Sequence, residues 1–129
     1  MHVVVSHEEK DVPVSLFFIR GDLTSEEPLK TRAREEHDEG AKNILLDLSD
    51  VPYVSSSGLR AIHYIYDLYR EKSTDSSELK RGISSGTYKS HHLKLLNPSQ
   101  NSMKALKVAG YDMFLEIYSD LDEALTSYE

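Results

Sequence analysis

Two kinds of apolar pattern alternate along the chain. Short runs that are apolar on both alternating faces suit buried strands, and stretches with apolar residues three and four apart suit amphipathic helices. Val3–Ser6 reads as a first short strand, followed by a turn through the charged run Glu8–Asp11. Val12–Arg20 (VPVSLFFIR) is apolar on both faces through Leu16–Ile19, as a central strand should be, and Gly21 ends it. Thr24 with Glu27 three residues on spells a capping box, with Pro28 tolerated in the first turn. A helix is therefore expected from Thr24 to about Glu39, with Leu29, Ala33 and His37 inward and Gly40 as its stop. Asn43–Leu48 (NILLDL) is the next strand and Asp50–Ser57 a turn. The following helix, about Ser57 to Glu71, turns Leu59, Ile62, Ile65 with Tyr66, and Tyr69 inward. Tyr66 and Tyr69 read as core aromatics with hydrated hydroxyls rather than as binding groups.

Ser73–Ser90 breaks the pattern: it holds six serines, two glycines and only Leu79, Ile83 and Tyr88 as large apolar groups. A connection this long suggests a polar loop or insert. Leu93–Leu96 is a short strand, and Ser99 caps a helix running through Ala109 to a stop at Gly110. Met113–Tyr118 makes a last strand, and Ser119 with Asp122 caps a final helix carrying Leu121, Ala124, Leu125 and Tyr128. After the opening pair, strands and helices alternate, which predicts an α/β fold: a mainly parallel sheet of about five strands with four helices, in one domain over residues 1–129. In open α/β sheets the working surface lies beyond the carboxyl ends of the strands. Those ends are Gly21–Thr24, Tyr53–Gly58, Asn97–Gln100 and Tyr118–Asp120, and the insert, which follows a helix, is expected at the opposite edge.

Charge and composition then remove whole classes of function. With 22 acidic against 15 basic residues and a formal charge of −7, the chain has the wrong balance for non-specific nucleic-acid binding. Having no cysteine, it has no disulfide, thiolate zinc site, iron–sulfur cluster or cysteine nucleophile. No apolar run approaches the ~20 residues of a membrane span, and the N-terminus lacks the basic flank of a signal peptide. A cytoplasmic protein that touches neither membrane nor nucleic acid is expected.

Enzyme and metal signals are poor, and no catalytic residue, metal or cofactor is expected. Ser77-Glu78-Leu79-Lys80 has the spelling of acyl-serine enzymes but sits in the insert without a companion motif. His63 and Asp67, four residues apart on one helix face, suit a side-chain contact rather than a closed metal site, and His91-His92 have no third ligand. The mixed charges of Glu26–Glu39 read mostly as a solvated face. The unusual stretch is Leu46–Ile62 (LDLSDVPYVSSSGLRAI), where three serines and a glycine join a buried strand to a helix. A hydroxyl in a helix's first turn can carry phosphate beside exposed amides and the positive dipole end. By spacing alone, however, Ser55–Ser57 fit simple helix capping better.

Leu46–Ile62 resembles the signature of STAS domains, the sulphate-transporter and anti-sigma-factor-antagonist family. PVSLFFIRGDLTSEE resembles the family's strand, Gly-x-Leu and helix start. HLKLLNPSQNSMKALKVAGYDMFLEIYSDLDEAL resembles its C-terminal half, including Leu95-Leu96-Asn97-Pro98-Ser99, Leu106 and Gly110. The resemblance spans about Val12 to Leu125 and leaves only the insert unmatched. In the family's switch proteins the pattern is Asp-Ser-Ser/Thr-Gly-Leu, with the phosphate acceptor one of the two hydroxyl residues before the glycine. Here Ser56 and Ser57 match the hydroxyls, Gly58 the glycine and Leu59 the leucine, while Ser55 replaces the acid. A Ser-Ser-Ala-Gly-Leu-Arg variant of the pattern also ends, like this chain at Arg60, in arginine.

The resemblance implies an anti-sigma factor antagonist, not an enzyme. Its partner would be an anti-sigma factor that is also a serine kinase of the histidine-kinase-like ATPase type, with a serine phosphatase as a further partner. It implies phosphorylation at Ser57 or Ser56. It also implies one binding patch of Gly21, Asp22, Tyr53, Ser55, Ser56, Ser57, Gly58, Leu59, Arg60, Asn97 and Ser99. The alternatives are a ligand-sensing or scaffold STAS module outside sigma-factor control, and a serine hydrolase, which would need a base that the working edge does not offer.

Overall fold

The computed structural model describes residues 1–70 and 89–128. The expected insert falls outside these apart from Lys89 and Ser90, as do Ser77–Lys80 and the expected helix end at Glu71. Five strands form one sheet in the order β1 (His2–Glu9), β2 (Pro13–Arg20), β3 (Ile44–Asp50), β4 (Leu93–Leu96) and β5 (Glu116–Tyr118). β1 pairs antiparallel with β2, and every later neighbour is parallel, so the expected mainly parallel α/β sheet is the one found. Among the described residues there are four α-helices: α1 (Leu29–Asp38), α2 (Ser56–Leu68), α3 (Gln100–Val108) and α4 (Leu121–Thr126).

Alternation in β2 assigns the two layers. Phe17 and Ile19 join Leu29, Ala33, Ile62, Ile65 and Leu106 in the core under α1, α2 and α3. Val14 and Leu16 point the other way, into a smaller cluster with Ala124, Leu125 and Tyr128 of the C-terminal end. Burial of a large apolar side chain contributes about 1.5–3 kcal/mol, so a strand covered on both faces is anchored more firmly than either helix layer alone. The short α4 packs on the Val14–Leu16 end of the hairpin, and Val4 and Phe18, further along that face, stay 62% and 43% exposed.

Several boundaries differ from the expectation, each for a local reason. β1 runs well past Ser6, because an edge strand can pair through polar residues whose outer side is wet. Helix α1 starts at Leu29, not Thr24, with Pro28 at its N-cap and no side-chain cap bond. Proline disfavours helical backbone in the residue before it, so Thr24–Glu27 cannot form the first turn. Glu27 instead accepts bonds from the amide and hydroxyl of Thr31, which hold its carboxyl below the usual range. On α1 it is Glu36 that is buried, while His37 is half-buried and meets the Tyr69 ring edge-on. Tyr69 is a core aromatic as expected, but its hydroxyl is not hydrated: it donates to the Ala33 carbonyl at 2.8 Å. Tyr111–Met113 form a 3-10 turn, which shortens the last strand to Glu116–Tyr118. Asp120, not Ser119, caps α4, accepting from the Glu123 amide at 2.9 Å, and Leu121 remains exposed.

Strand β4 (LKLL) is buried along its whole length, Lys94 included. The Lys94 ammonium donates to the carbonyl and hydroxyl of Ser127, each at 2.9 Å, and lies 4.7 Å from the centre of the Tyr128 ring. Burial pushes its pKa down, against the opposing pull of Glu116 at 3.8 Å. This lysine ties the C-terminal end to the sheet, as does the Tyr128 hydroxyl, which donates to the Ile44 carbonyl.

Candidate functional site

At the carboxyl edge the sheet continues as a zipper of two loops. Gly21, in left-handed backbone at φ +93°, turns the chain and donates its N–H to the Asp50 carbonyl at 3.0 Å. The Leu23 amide donates to Tyr53 O at 2.9 Å, and the Ser55 amide donates back to Leu23 O at 3.0 Å. Leu23 and Val54 form an isolated parallel bridge, both buried. From the other side, Ser99 and Ser102 donate to the Val51 carbonyl at 2.7 and 2.8 Å, which fixes the start of α3 against the same loop. The site therefore stands on backbone bonded from two neighbours.

The three serines have three different jobs. Ser55 is the N-cap of α2: its backbone is extended and its hydroxyl accepts from the Gly58 amide at 3.3 Å. It thus does what a short acid does at a cap. Ser56 is exposed in the first turn. Ser57 is half-buried, and its hydroxyl accepts a 2.8 Å hydrogen bond from the Arg60 guanidinium. The Nε of Arg60 also stands 3.6 Å from a Glu26 carboxylate oxygen, and Glu26 pairs with Lys30 at 3.4 Å. Gly58 is buried where α2 crosses the Leu23–Val54 bridge; a Cβ there would overlap Leu23 O and lie 2.8 Å from Leu23 Cγ. Glycine is required by that close approach.

Beside Ser56 runs a shallow groove of about 380 Å³, lined on one wall by Tyr53, Val54, Ser56 and Leu59 and on the other by Asn101, Lys104, Ala105, Val108 and Ala109 of α3 and its C-cap. Tyr53 is 51% and Val108 81% exposed, so each wall of the groove presents an apolar group to solvent. The sequence reading missed this second wall. Its signal was present: Val108–Ala109 extend the apolar stripe of α3 beyond the face occupied by Leu106. Not every expected residue converges. Tyr53, Ser56 and Leu59 share the groove, Ser57 and Arg60 face Glu26, and Ser55 and Gly58 are structural supports. Ser99 caps α3. Gly21 lies near Met1, Asp22 is exposed outside the groove, and Asn97, at φ +51°, donates its amide to Tyr118 O at 2.6 Å.

At the opposite edge, a hollow of about 620 Å³ contains His7, Ser15 and the buried Glu36. One Glu36 oxygen accepts from Ser15 Oγ at 2.9 Å and lies 2.7 Å from His7 Nε2. Because the carboxylate stands between serine and histidine, the imidazole cannot take the Ser15 proton directly, and the trio lacks the order of a nucleophile relay. Among the described residues, no histidine hydrogen-bonds to Ser55, Ser56 or Ser57. No group of three or more metal-ligating side chains occurs among them. His63 and Asp67 form the side-chain contact expected of them, at 3.4 Å. None of the helices among the described residues is long and apolar enough to cross a membrane.

Comparison with known proteins agrees with this architecture. The model of the STAS domain family matches residues 8–76. An anti-sigma factor antagonist from Mycobacterium paratuberculosis superposes with a TM-score of 0.68 at 19% identity, over 98% of this chain and 94% of that one. A Thermotoga maritima protein assigned as an anti-sigma factor antagonist gives 0.66 at 21% identity, over 96% and 93%. The anti-sigma factor antagonist SpoIIAA, in its unphosphorylated form, gives 0.53 at 15%, over 93% and 92%. At these identities the likeness is one of fold. A search of the curated proteins finds no match to the sequence.

Proposed function

The chain belongs to the STAS domain family, and on that premise we propose that it is a non-enzymatic, anti-sigma factor antagonist-like regulatory protein of the cytoplasm. Residues 1–129 form one such domain, with 73–90 as an insert. The unphosphorylated protein binds an anti-sigma factor that is also a serine kinase of the histidine-kinase-like ATPase type. Phosphorylation of Ser57 or Ser56 releases it, and a serine phosphatase resets it. In that step the serine oxygen bonds to the γ-phosphorus of ATP while the bond to the bridging oxygen breaks. ADP leaves with that electron pair, and the hydroxyl proton passes to a base of the kinase.

The observation that carries this reading is the start of α2. Ser55 caps the helix, which leaves the Ser56 hydroxyl beside a groove with exposed Tyr53 and Val108, and the Ser57 hydroxyl on the adjoining face, bonded by Arg60. A phosphate adds about −1.5 to −2 charges at that rim, where desolvation against a docked partner penalises it. Titration calorimetry with the cognate kinase tests the proposal. Ser57→Asp and Val108→Asp should each weaken binding by about tenfold or more, roughly 1.4 kcal/mol. Lys42→Ala, at the opposite edge, should stay within about threefold. Silent Ser57→Asp and Val108→Asp variants would remove both the switch and the groove.

A further inference from the structure

Arg60 is divided between two weak partners. Its Nη2 donates to the neutral Ser57 hydroxyl at 2.8 Å, and its Nε is only ion-paired with Glu26, at 3.6 Å. Glu26 does not depend on it, because Lys30 pairs with the other carboxylate oxygen at 3.4 Å while also lying over the Tyr64 ring at 4.6 Å. The guanidinium fork, which favours bidentate bonding to a doubly charged oxyanion, is thus held one bond away from where a phosphate on Ser57 would put its oxygens.

We infer that Arg60 is an internal latch for phosphate on Ser57: the guanidinium leaves Glu26 and closes on the phosphoryl oxygens, and Glu26 stays with Lys30. This rests on the reading of the α2 serines as phosphate acceptors and deepens it, because it distinguishes the two. Ser56 belongs to the groove wall shared with Tyr53 and α3, whereas Arg60 faces Glu26 ahead of α1. To reach a phosphate on Ser56, Arg60 would have to give up both present partners. Phosphate at 57 therefore does two things at once: it adds negative charge and withdraws the Arg60 cation from the surface. Phosphate at 56 adds charge and has to compete with Ser57 for the same guanidinium.

The test uses full-length protein with phosphoserine installed by genetic encoding at 57 or at 56, so no kinase is needed. The phosphate is titrated by phosphorus NMR in the Arg60 protein and in Arg60→Gln, an exposed substitution. At 57 the midpoint should lie about half a pH unit or more lower with Arg60 present, because a nearby cation favours the dianion. At 56, four residues before Arg60, the difference should be clearly smaller, because the guanidinium is already bonded at 57. Arg60→Lys at 57 should fall between, since it keeps the charge and loses the fork. Equal midpoints at 57, or the same difference at both positions, would overturn the latch. If the latch titrates as expected but the cognate kinase modifies neither Ser57 nor Ser56, the proposed function fails and the latch stands.

Discussion

Replacing Gly58 by alanine separates helix propensity from packing. In an isolated helix the change is favourable by about 1 kcal/mol. In this protein the added methyl overlaps the Leu23 carbonyl oxygen and sits 2.8 Å from Leu23 Cγ and 3.0 Å from Val54 Cγ1. Those atoms cannot give way cheaply. Leu23 and Val54 are buried and bridged, and Leu23 O accepts the Ser55 amide that leads into α2. Overpacking of this kind costs about 1–3 kcal/mol, and weakening the Ser55 bond adds about 1 kcal/mol. Against the propensity gain, the net loss is about 1–3 kcal/mol. For a chain of this size that lowers Tm by roughly 4–10 °C. Urea unfolding of Gly58→Ala beside the parent measures it. A variant as stable as the parent, or more so, would mean that propensity wins and that the close approach of α2 to the bridge is not real.

Ser55→Ala should cost about 1 kcal/mol in urea unfolding, and Ser55→Asp should retain most of that stability; an unchanged Ser55→Ala would deny the cap. Ser15→Ala strips a hydrogen bond from the buried Glu36 carboxylate and should cost about 1.5–3 kcal/mol, and a loss below ~0.5 kcal/mol would contradict that pairing. Burial pushes the hydroxyls of Tyr69, Tyr111, Tyr118 and Tyr128 above their ordinary pKa. Above pH ~10 the unfolded chain loses these protons and the folded one keeps them, so stability falls as pH rises. In an ultraviolet titration of the eight tyrosines, part of the tyrosinate signal should appear only on unfolding; eight titrating together near pH 10 would contradict the burial.

What the sequence revealed and what it concealed follow from how each residue earns its place. PVSLFFIR was legible as a two-faced central strand because burial leaves a continuous apolar run. SSSGLR was legible as a helix start because caps and glycine contacts use few residue types. Thr24–Glu27 misled because a local capping box ignores Pro28, which excludes helical backbone just ahead of it. Lys94 and Glu36 could not be placed from pattern: each is a charge buried by partners distant in sequence, Ser127 and Tyr128 for one, Ser15 and His7 for the other. The α3 wall of the groove was readable only as a stripe slightly too wide for its core.

The proposed switch lies in the serines at the start of α2. Its most direct test is to incubate the purified protein with ATP and the cognate anti-sigma kinase, then locate the phosphate by peptide mass spectrometry. One phosphate is expected, on Ser57 or Ser56, and it should disappear when both are changed to alanine in a protein that still folds. Phosphate confined to serines of the 73–90 stretch, with Ser56 and Ser57 unmodified, would contradict it.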